Sequence, residues 1–259
     1  MMRIALCQIS STADPVTNLV TIRAEVARAA EAGARIVQFP EAAQCRFGVP
    51  LAPIAEPLDG PWATAVREIA AEHGVVVVAG MFTPGTDGRV TNTTLVTGAD
   101  LHLGYAKIHL FDAFGFRESD TVTPGGKPVT FEVDGTTFGL ATCYDVRFPE
   151  LFRTLADTAA VILLGASWGA GPGKADQWDL LVRARALDST AYVLACGQAL
   201  PAEDFGAAPT GIGRSAVVSP LGAVLDRLTD GPGTLLSDVD TSLVEEARRT
   251  LPVLANRRL

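Results

Sequence analysis

Apolar residues in the first third of the chain recur with two different periods. Two amphipathic segments have helical spacing and predict helices over residues 15–32 and 61–74. Asp14 suits the N-cap of the first helix, Pro15 its first turn and Gly33 its C-cap. Shorter runs rich in β-branched residues predict strands at residues 4–9, 35–39 and 75–82. Strand and helix therefore alternate, which indicates a parallel sheet.

The rest of the chain combines hairpin signals with the same alternation. Residues 90–107 and 128–143 each contain two strand patterns around a turn, and the second turn is the Asp134-Gly135 pair typical of hairpins. Later helix patterns run from Pro149 and from about Ala175 to Ser189, and later strand patterns cover residues 159–165, 191–197, 215–220, 223–228 and 233–240. Because no linker composition divides the chain, we expect one α/β domain over residues 1–259, with mixed sheets and helices on their outer faces.

One strand pattern stops abruptly at Cys143. In GLATCYDVRFPEL, small and apolar residues lead up to this cysteine, and a Pro-Glu pair six residues later begins a helix. A sharp connection from strand to helix exposes a side chain at the carboxyl end of a sheet. It also leaves backbone N–H groups free to face a developing negative charge. Cys143 is therefore a candidate nucleophile, and the alternative is a small buried hydrophobic residue.

Two ionisable residues end other strand patterns. Glu41 follows RIVQFP, and Lys107 ends LHLGYAK. Ligands bind at the carboxyl ends of strands in open α/β folds, so these residues could add a base and an oxyanion-side cation to Cys143. Taken singly, each could instead be a solvated surface charge.

A histidine provides a rival to this set. His109 lies two residues after Lys107, so both side chains would face the same side of an extended segment. His109 could form a Cys-His pair with Cys143, and we expect it instead to hydrogen-bond at the wall of the pocket. Trp168 is a second candidate for that wall, and the alternative for this residue is a place in the core.

Composition narrows the classes of function. The net charge of −8 disfavours partners such as nucleic acid and anionic membranes. No apolar run approaches the roughly 18 residues of a membrane span, and the amino-terminal run is too short for a signal peptide. The four cysteines lie far apart without a CxxC pair, and no metal-ligand motif occurs. We therefore expect a cytoplasmic protein without a metal or other cofactor.

Segments along nearly the whole chain resemble the carbon-nitrogen hydrolase (nitrilase) superfamily. They are ALCQIS, FPEA, NTTLV, YAKIHLFD, FRESDTVTPG, CYDVRFPEL, WDLLVRARALD and LPVLANRR. Within the superfamily the chain is most similar to the Nit branch, which includes deaminated glutathione amidase and omega-amidase. The ending RRTLPVLANRR is more similar to the first of these. The resemblance implies an αββα sandwich and a Glu-Lys-Cys triad.

The resemblance also assigns roles to individual residues. It makes Glu41 the general base, Lys107 the cation beside the oxyanion and Cys143 the nucleophile. Glu118 becomes a second glutamate beside the triad, although on its own it is typical of an exposed loop charge. The backbone N–H of Tyr144 would join Lys107 at the oxyanion.

The implied activity is hydrolysis of an amide bond in a small carboxylate-bearing substrate, with release of ammonia through a cysteine thioester. Deaminated glutathione is the first expected substrate and an omega-amide of a 2-oxo acid the second. N-carbamoyl amides, nitriles and a non-catalytic binding role remain as alternatives. Gly165 and Asp176 stand where members of the superfamily often carry Pro and His, so the resemblance leaves these substrate classes open. We also expect a homodimer or larger even assembly, with residues 148–157 and the carboxyl-terminal segment at the contact.

Overall fold

Two six-stranded sheets form the centre of the molecule, in a computed structural model that describes residues 1–206 and 208–258. The strands are β1 (Met2–Gln8), β2 (Ile36–Gln38), β3 (Val76–Pro84), β4 (Val90–Gly98), β5 (Leu101–Ala106), β6 (Asp112–Ala113), β7 (Phe116–Arg117), β8 (Thr130–Val133), β9 (Thr136–Thr142), β10 (Val161–Ala166), β11 (Tyr192–Gly197), β12 (Ala216–Val218), β13 (Val224–Arg227) and β14 (Gly233–Val239). The helices are α1 (Pro15–Glu31), α2 (Pro61–His73), α3 (Pro149–Leu155), α4 (Lys174–Ser189) and α5 (Ser242–Thr250). None of these helices is long and apolar enough to cross a membrane.

Each large sheet has a parallel centre and antiparallel edges. The strand orders are β14-β1-β2-β3-β4-β5 and β13-β12-β11-β10-β9-β8. Strands β1, β2 and β3 are parallel, and so are β9, β10 and β11. Since β4 is antiparallel to both β3 and β5, strand β5 runs in the same direction as β3. The carboxyl ends of β2 and β5 therefore lie at the same edge of the first sheet.

The alternation of side chains along the strands divides the core into layers. In β1, Ile4 and Leu6 belong to the core between the two sheets, whereas Ala5 and Cys7 belong to the core shared with α1 and α2. In the second sheet, Leu163 points to the inter-sheet core, and its neighbours along β10 pack with residues of α3 and α4. The predicted αββα sandwich, with mixed sheets and outer helices, is confirmed.

Helix ends follow the predicted caps to within a residue or two. The Asp14 side chain accepts hydrogen bonds from two backbone N–H groups in the first turn of α1. This helix ends at Glu31 with Ala32 as its cap, and Gly33 follows with φ of 83°. The glycine thus occupies the left-handed position just after the cap. Gly74 is itself the cap of α2, with φ of 65°.

Three local features differ from the sequence-based expectations. Helix α3 begins at the predicted Pro149 and ends at Leu155, so it occupies only part of the segment 148–157 that was expected at the subunit contact. A small hairpin of β6 and β7 was not predicted. Strand β5 ends at Ala106, so Lys107 and His109 do not share an extended segment and their side chains meet different partners.

Candidate active site

Glu41 lies three residues after the end of β2, and its backbone packs against both sheets. Glu41 is 1% exposed. A Cβ at Gly80 would lie 2.7 Å from the Glu41 Cα, and a Cβ at Gly165 would lie 3.1 Å from the Glu41 nitrogen. These two glycines, one from each sheet, therefore let the backbone of Glu41 pack closely between the sheets. Gly165 therefore has a structural role here.

Lys107 lies between two buried carboxylates. Its Nζ is 3.1 Å from Oε1 of Glu41 and 2.9 Å from Oε2 of Glu118. Burial alone lowers the pKa of Lys107, but the charges of Glu41 and Glu118 outweigh it and raise the pKa well above its usual value. The amine is therefore held as an ammonium group. Glu118 is 4% exposed and is not a solvated loop charge.

Neutral groups complete the hydrogen bonding of these carboxylates. Asn92 Nδ2 donates to Glu41 Oε1 at 2.8 Å and to Glu118 Oε1 at 3.2 Å. The Ser167 N–H, just after β10, donates to Glu41 Oε2 at 2.7 Å. Asn92 and Ser167 were missed by the sequence analysis, because their roles depend on contacts between separate strands. The one available signal was that Asn92 interrupts a strand pattern with a polar side chain.

Cys143 begins a 3₁₀ turn directly after β9. Residues 143–147 form this turn, and Cys143 has φ of 48°, a left-handed conformation rare for a side chain with a Cβ. Burial raises the pKa of its thiol well above the usual range, and the charge of Glu41 adds to this effect, whereas Lys107 acts in the opposite direction. The thiol therefore keeps its proton until an acceptor removes it. Tyr144 follows in the first turn, where N–H groups have no intrahelical acceptors.

The buried carboxylate of Asp145 fixes the turn that carries Cys143. It accepts hydrogen bonds from the Thr142 N–H at 2.8 Å and the Tyr105 hydroxyl at 2.7 Å. It also accepts one from the backbone N–H of His109 at 3.0 Å, and its Oδ1 lies 2.7 Å from the ring nitrogen Nδ1 of that residue. Asp145 therefore ties the segment after β5 to the turn after β9.

His109 is occupied by this network. An ionised Asp145 can only accept, so Nδ1 of His109 carries the proton. The ring also stacks on Phe148, with centroids 3.7 Å apart. The hydrogen bonds of Lys107 go to Glu41 and Glu118 instead, so this arrangement supports the predicted hydrogen-bonding role of His109 over a Cys-His pair.

Trp168 is both a core residue and a neighbour of charged groups. It is 6% exposed and packs against Trp178, with ring centroids 5.2 Å apart. The Arg147 guanidinium carbon lies 5.2 Å from the centroid of its indole ring. The contact with Trp178 supports the core interpretation, and a place for Trp168 in the pocket wall stays a prediction. Among the residues that the structure describes, no group of three or more His, Cys, Asp or Glu side chains is placed to hold a metal ion.

A family model described as "Carbon-nitrogen hydrolase" matches residues 3–249. The chain belongs to the carbon-nitrogen hydrolase family. A curated protein from Mycobacterium tuberculosis, "Hydrolase Rv0480c", is 53% identical over 99% of the chain and 95% of its own length. Glu41, Lys107, Glu118 and Cys143 thus lie within the part of the chain that matches the carbon-nitrogen hydrolase model.

Other proteins of known name resemble the chain more distantly. Omega-amidase NIT2 of Mus musculus is 34% identical over 99% of the chain and 95% of its own length. Deaminated glutathione amidase of Escherichia coli O157:H7 is 34% identical over 79% of the chain and 76% of its own length. The solved structure of Saccharomyces cerevisiae Nit3, described as a member of branch 10 of the nitrilase superfamily, superposes with a TM-score of 0.87 at 25% identity. That superposition covers 100% of the chain and 97% of Nit3.

Proposed function

We propose that this carbon-nitrogen hydrolase is an amidase that acts through a thioester on Cys143. The observation that carries the proposal is the placement of Lys107 between the buried carboxylates of Glu41 and Glu118, in the same electrostatic environment as the thiol. A nucleophile, a proton acceptor and a fixed cation are the groups that amide hydrolysis requires. Relatives that carry the name amidase support the same reaction class.

Acylation begins with proton transfer from the thiol. Glu41 accepts the proton of Cys143 as the sulfur attacks the amide carbon, and the carbonyl oxygen becomes an oxyanion. Lys107 and the Tyr144 N–H stabilise this oxyanion. When the carbon-nitrogen bond breaks, the protonated Glu41 returns the proton to the leaving nitrogen, and the acyl group stays on sulfur.

Deacylation uses the same groups. Glu41, again a carboxylate, accepts a proton from water as the water oxygen attacks the thioester carbon. The second oxyanion collapses, the carbon-sulfur bond breaks, and the thiolate recovers its proton from Glu41. Glu118 keeps Lys107 charged and in place throughout, because its two oxygens accept hydrogen bonds from Nζ at 3.1 and 2.9 Å.

We propose a small carboxylate-bearing substrate for this site. Deaminated glutathione is the first candidate and an omega-amide of a 2-oxo acid the second, in line with relatives that bear those names at 34% identity. A primary amide releases ammonia, whereas the secondary amide of deaminated glutathione releases a larger amine. N-carbamoyl amides and nitriles are the remaining substrate classes.

A substrate panel tests this proposal. Purified protein is given deaminated glutathione, 2-oxo-acid omega-amides, N-carbamoyl amides and nitriles, and both ammonia and primary amine are measured. We expect turnover of the first two classes and none by Cys143→Ala. If no compound is consumed and iodoacetamide leaves Cys143 unmodified, the non-catalytic binding role is favoured instead.

We also propose a homodimer or larger even assembly. Helix α4 exposes Leu180 and Leu187, which lie two turns apart on one face, and Leu221 is exposed near Leu187. The carboxyl-terminal segment lies near the end of α3, since Arg257 pairs with Asp157.

Light scattering should give at least twice 27.1 kDa, and Leu180→Glu should lower that mass. A fully active 27.1 kDa species would contradict the assembly. The predicted cytoplasmic location stays a prediction.

A further inference from the structure

Two cations beside the triad approach the same aromatic ring. Arg147 is the last residue of the turn that begins at Cys143, and Lys174 is the first residue of α4. The Arg147 guanidinium carbon lies 5.2 Å from the Trp168 ring centroid, and the Lys174 Nζ lies 6.0 Å from it. Elements that are far apart in sequence therefore bring two positive charges to one wall of the site.

Among the residues that the structure describes, neither cation is paired with a carboxylate. Arg147 donates to the neutral Gln177 Oε1 at 2.7 Å, and within residues 1–206 and 208–258 no carboxylate oxygen lies within 4.0 Å of Arg147 or Lys174. Burial and then the charge of Arg147 lower the pKa of Lys174, whereas negative charge at Cys143 acts in the opposite direction. The two cations and the nucleophile thus share one electrostatic environment.

Aromatic faces hold these cations without cancelling their charge. Lys174 Nζ lies 3.9 Å from the ring centroid of Phe114 and 5.5 Å from that of Phe111. The Arg147 guanidinium carbon lies 5.8 Å from the ring centroid of Tyr144, the residue after the nucleophile. Cation-π contacts fix a cation weakly and leave its N–H donors available to an anion.

We propose that Arg147 and Lys174 form a two-point site for the carboxylate of the substrate. The inference rests on the proposed amidase function and assigns its specificity to these residues. The planar guanidinium of Arg147 can bind both carboxylate oxygens side by side, and the ammonium of Lys174 adds a point charge. The aromatic rings beside them suit the apolar chain between the carboxylate and the amide. Recognition of the anion is thereby separated from the Lys107 centre that performs the chemistry.

Two amides that differ only at one end test the site. Succinamic acid carries a carboxylate where butyramide carries a methyl group. We expect the wild-type protein to prefer succinamic acid in kcat/KM, and Lys174→Met and Arg147→Met each to lower that preference by about 10- to 100-fold. Arg147→Lys should lie between these and the wild type, since it keeps the charge but loses the bidentate geometry. Lys127→Met, on an exposed bend, is the matched control and should keep the wild-type preference.

The outcomes separate this site from the proposed function. If all variants hydrolyse both amides with the wild-type preference, the two-point site is overturned and the amidase function stands. If the wild-type protein hydrolyses neither amide, the amidase function is in question. The binding of an anion to the two-point site is then measured without turnover. Succinate should then slow alkylation of Cys143 by iodoacetamide in the wild type and in Lys127→Met, but not in Lys174→Met or Arg147→Met. Equal protection in all four, or in none, would also overturn the site.

Discussion

Lys107 forms one cationic group close to Cys143, and Arg147 and Lys174 form a second. The two groups differ in how their charge is balanced. Lys107 is 2% exposed and pairs with Glu41 and Glu118. Arg147 and Lys174 are half-buried, and among the described residues they pair with no carboxylate. In the first group, protein carboxylates satisfy the charge before any substrate arrives. In the second, the charge remains available to an incoming anion.

The difference indicates which group performs chemistry and which recognises the substrate. A buried ammonium between two carboxylates cannot move without leaving them unpaired, so its position is fixed for the developing oxyanion. A half-exposed cation held by aromatic rings can exchange water for a carboxylate at low cost. Each prediction below therefore perturbs one group and asks what happens to the other.

Removing the nucleophile has the largest expected effect. Cys143→Ala should lose all turnover and keep the affinity for succinate of the wild-type protein, because Arg147 and Lys174 remain. Ammonia release measures the turnover, and calorimetric titration measures the affinity for succinate. Cys45→Ala, which changes a buried cysteine in a separate core cluster, should retain turnover. Full activity in Cys143→Ala would end the thioester mechanism.

Lys107→Met should cost about 10²- to 10³-fold in kcat, since a donor at the oxyanion is lost. It should also lower the free energy of unfolding by about 3–5 kcal/mol, because Glu41 and Glu118 are left buried without their cation. Lys174→Met should change the free energy of unfolding by less than about 0.5 kcal/mol. Urea unfolding and steady-state kinetics give both quantities.

His109→Asn is the control for Lys107→Met. The asparagine amide can donate to Asp145 as the ring nitrogen does, so we expect less than a tenfold loss of kcat, about 1 kcal/mol. An inactive His109→Asn beside an active Lys107→Met would favour a Cys-His pair instead.

Asp145→Asn should have an intermediate effect. The carboxylate of Asp145 faces donors from Thr142, Tyr105 and His109, and an amide NH₂ cannot accept from any of them. We expect a loss of about 1–3 kcal/mol in the free energy of unfolding and a lower kcat, because the turn at Cys143 is released. Tyr105→Phe, which removes one donor, should be milder. Equal stability of Asp145→Asn and wild type would contradict this role.

The smallest effect is expected at an exposed ion pair between the sheets. Arg35 lies 2.7 Å from Asp134 and holds the pKa of that carboxyl below its usual value. Stability from this pair is present above the unfolded-state pKa of Asp134 and is lost as pH falls through the folded-state value. Asp134→Asn should cost less than about 1 kcal/mol at neutral pH and nothing in acid. Urea midpoints at the two pH values measure this difference. A larger loss of stability in acid than at neutral pH would contradict the prediction.

Local signals in the sequence predicted much of the fold. The Asp14 cap and the Asp134-Gly135 turn are set by neighbouring residues, and both positions of that turn have positive φ. The strand termini also predicted that Glu41, Lys107 and Cys143 come together. Asn92 could not be found in this way, because its two carboxylate partners lie 51 and 26 residues away along the chain.

The group formed by Arg147 and Lys174 was also beyond local signals. Their shared approach to Trp168 depends on how α4 packs beside the turn at Cys143, which no local pattern encodes. Such contacts between distant segments are set by packing of the whole sheet and its helices.

Partition of the acyl group between water and hydroxylamine tests the central claim most directly. Succinamic acid and N-methylsuccinamic acid have the same acyl group and different leaving amines. If both pass through one thioester on Cys143, the ratio of succinyl hydroxamate to succinate must be the same for both substrates at a given hydroxylamine concentration. The account predicts equal ratios and no products with Cys143→Ala. Ratios that differ with the leaving amine would show that no common acyl-enzyme forms and would contradict it.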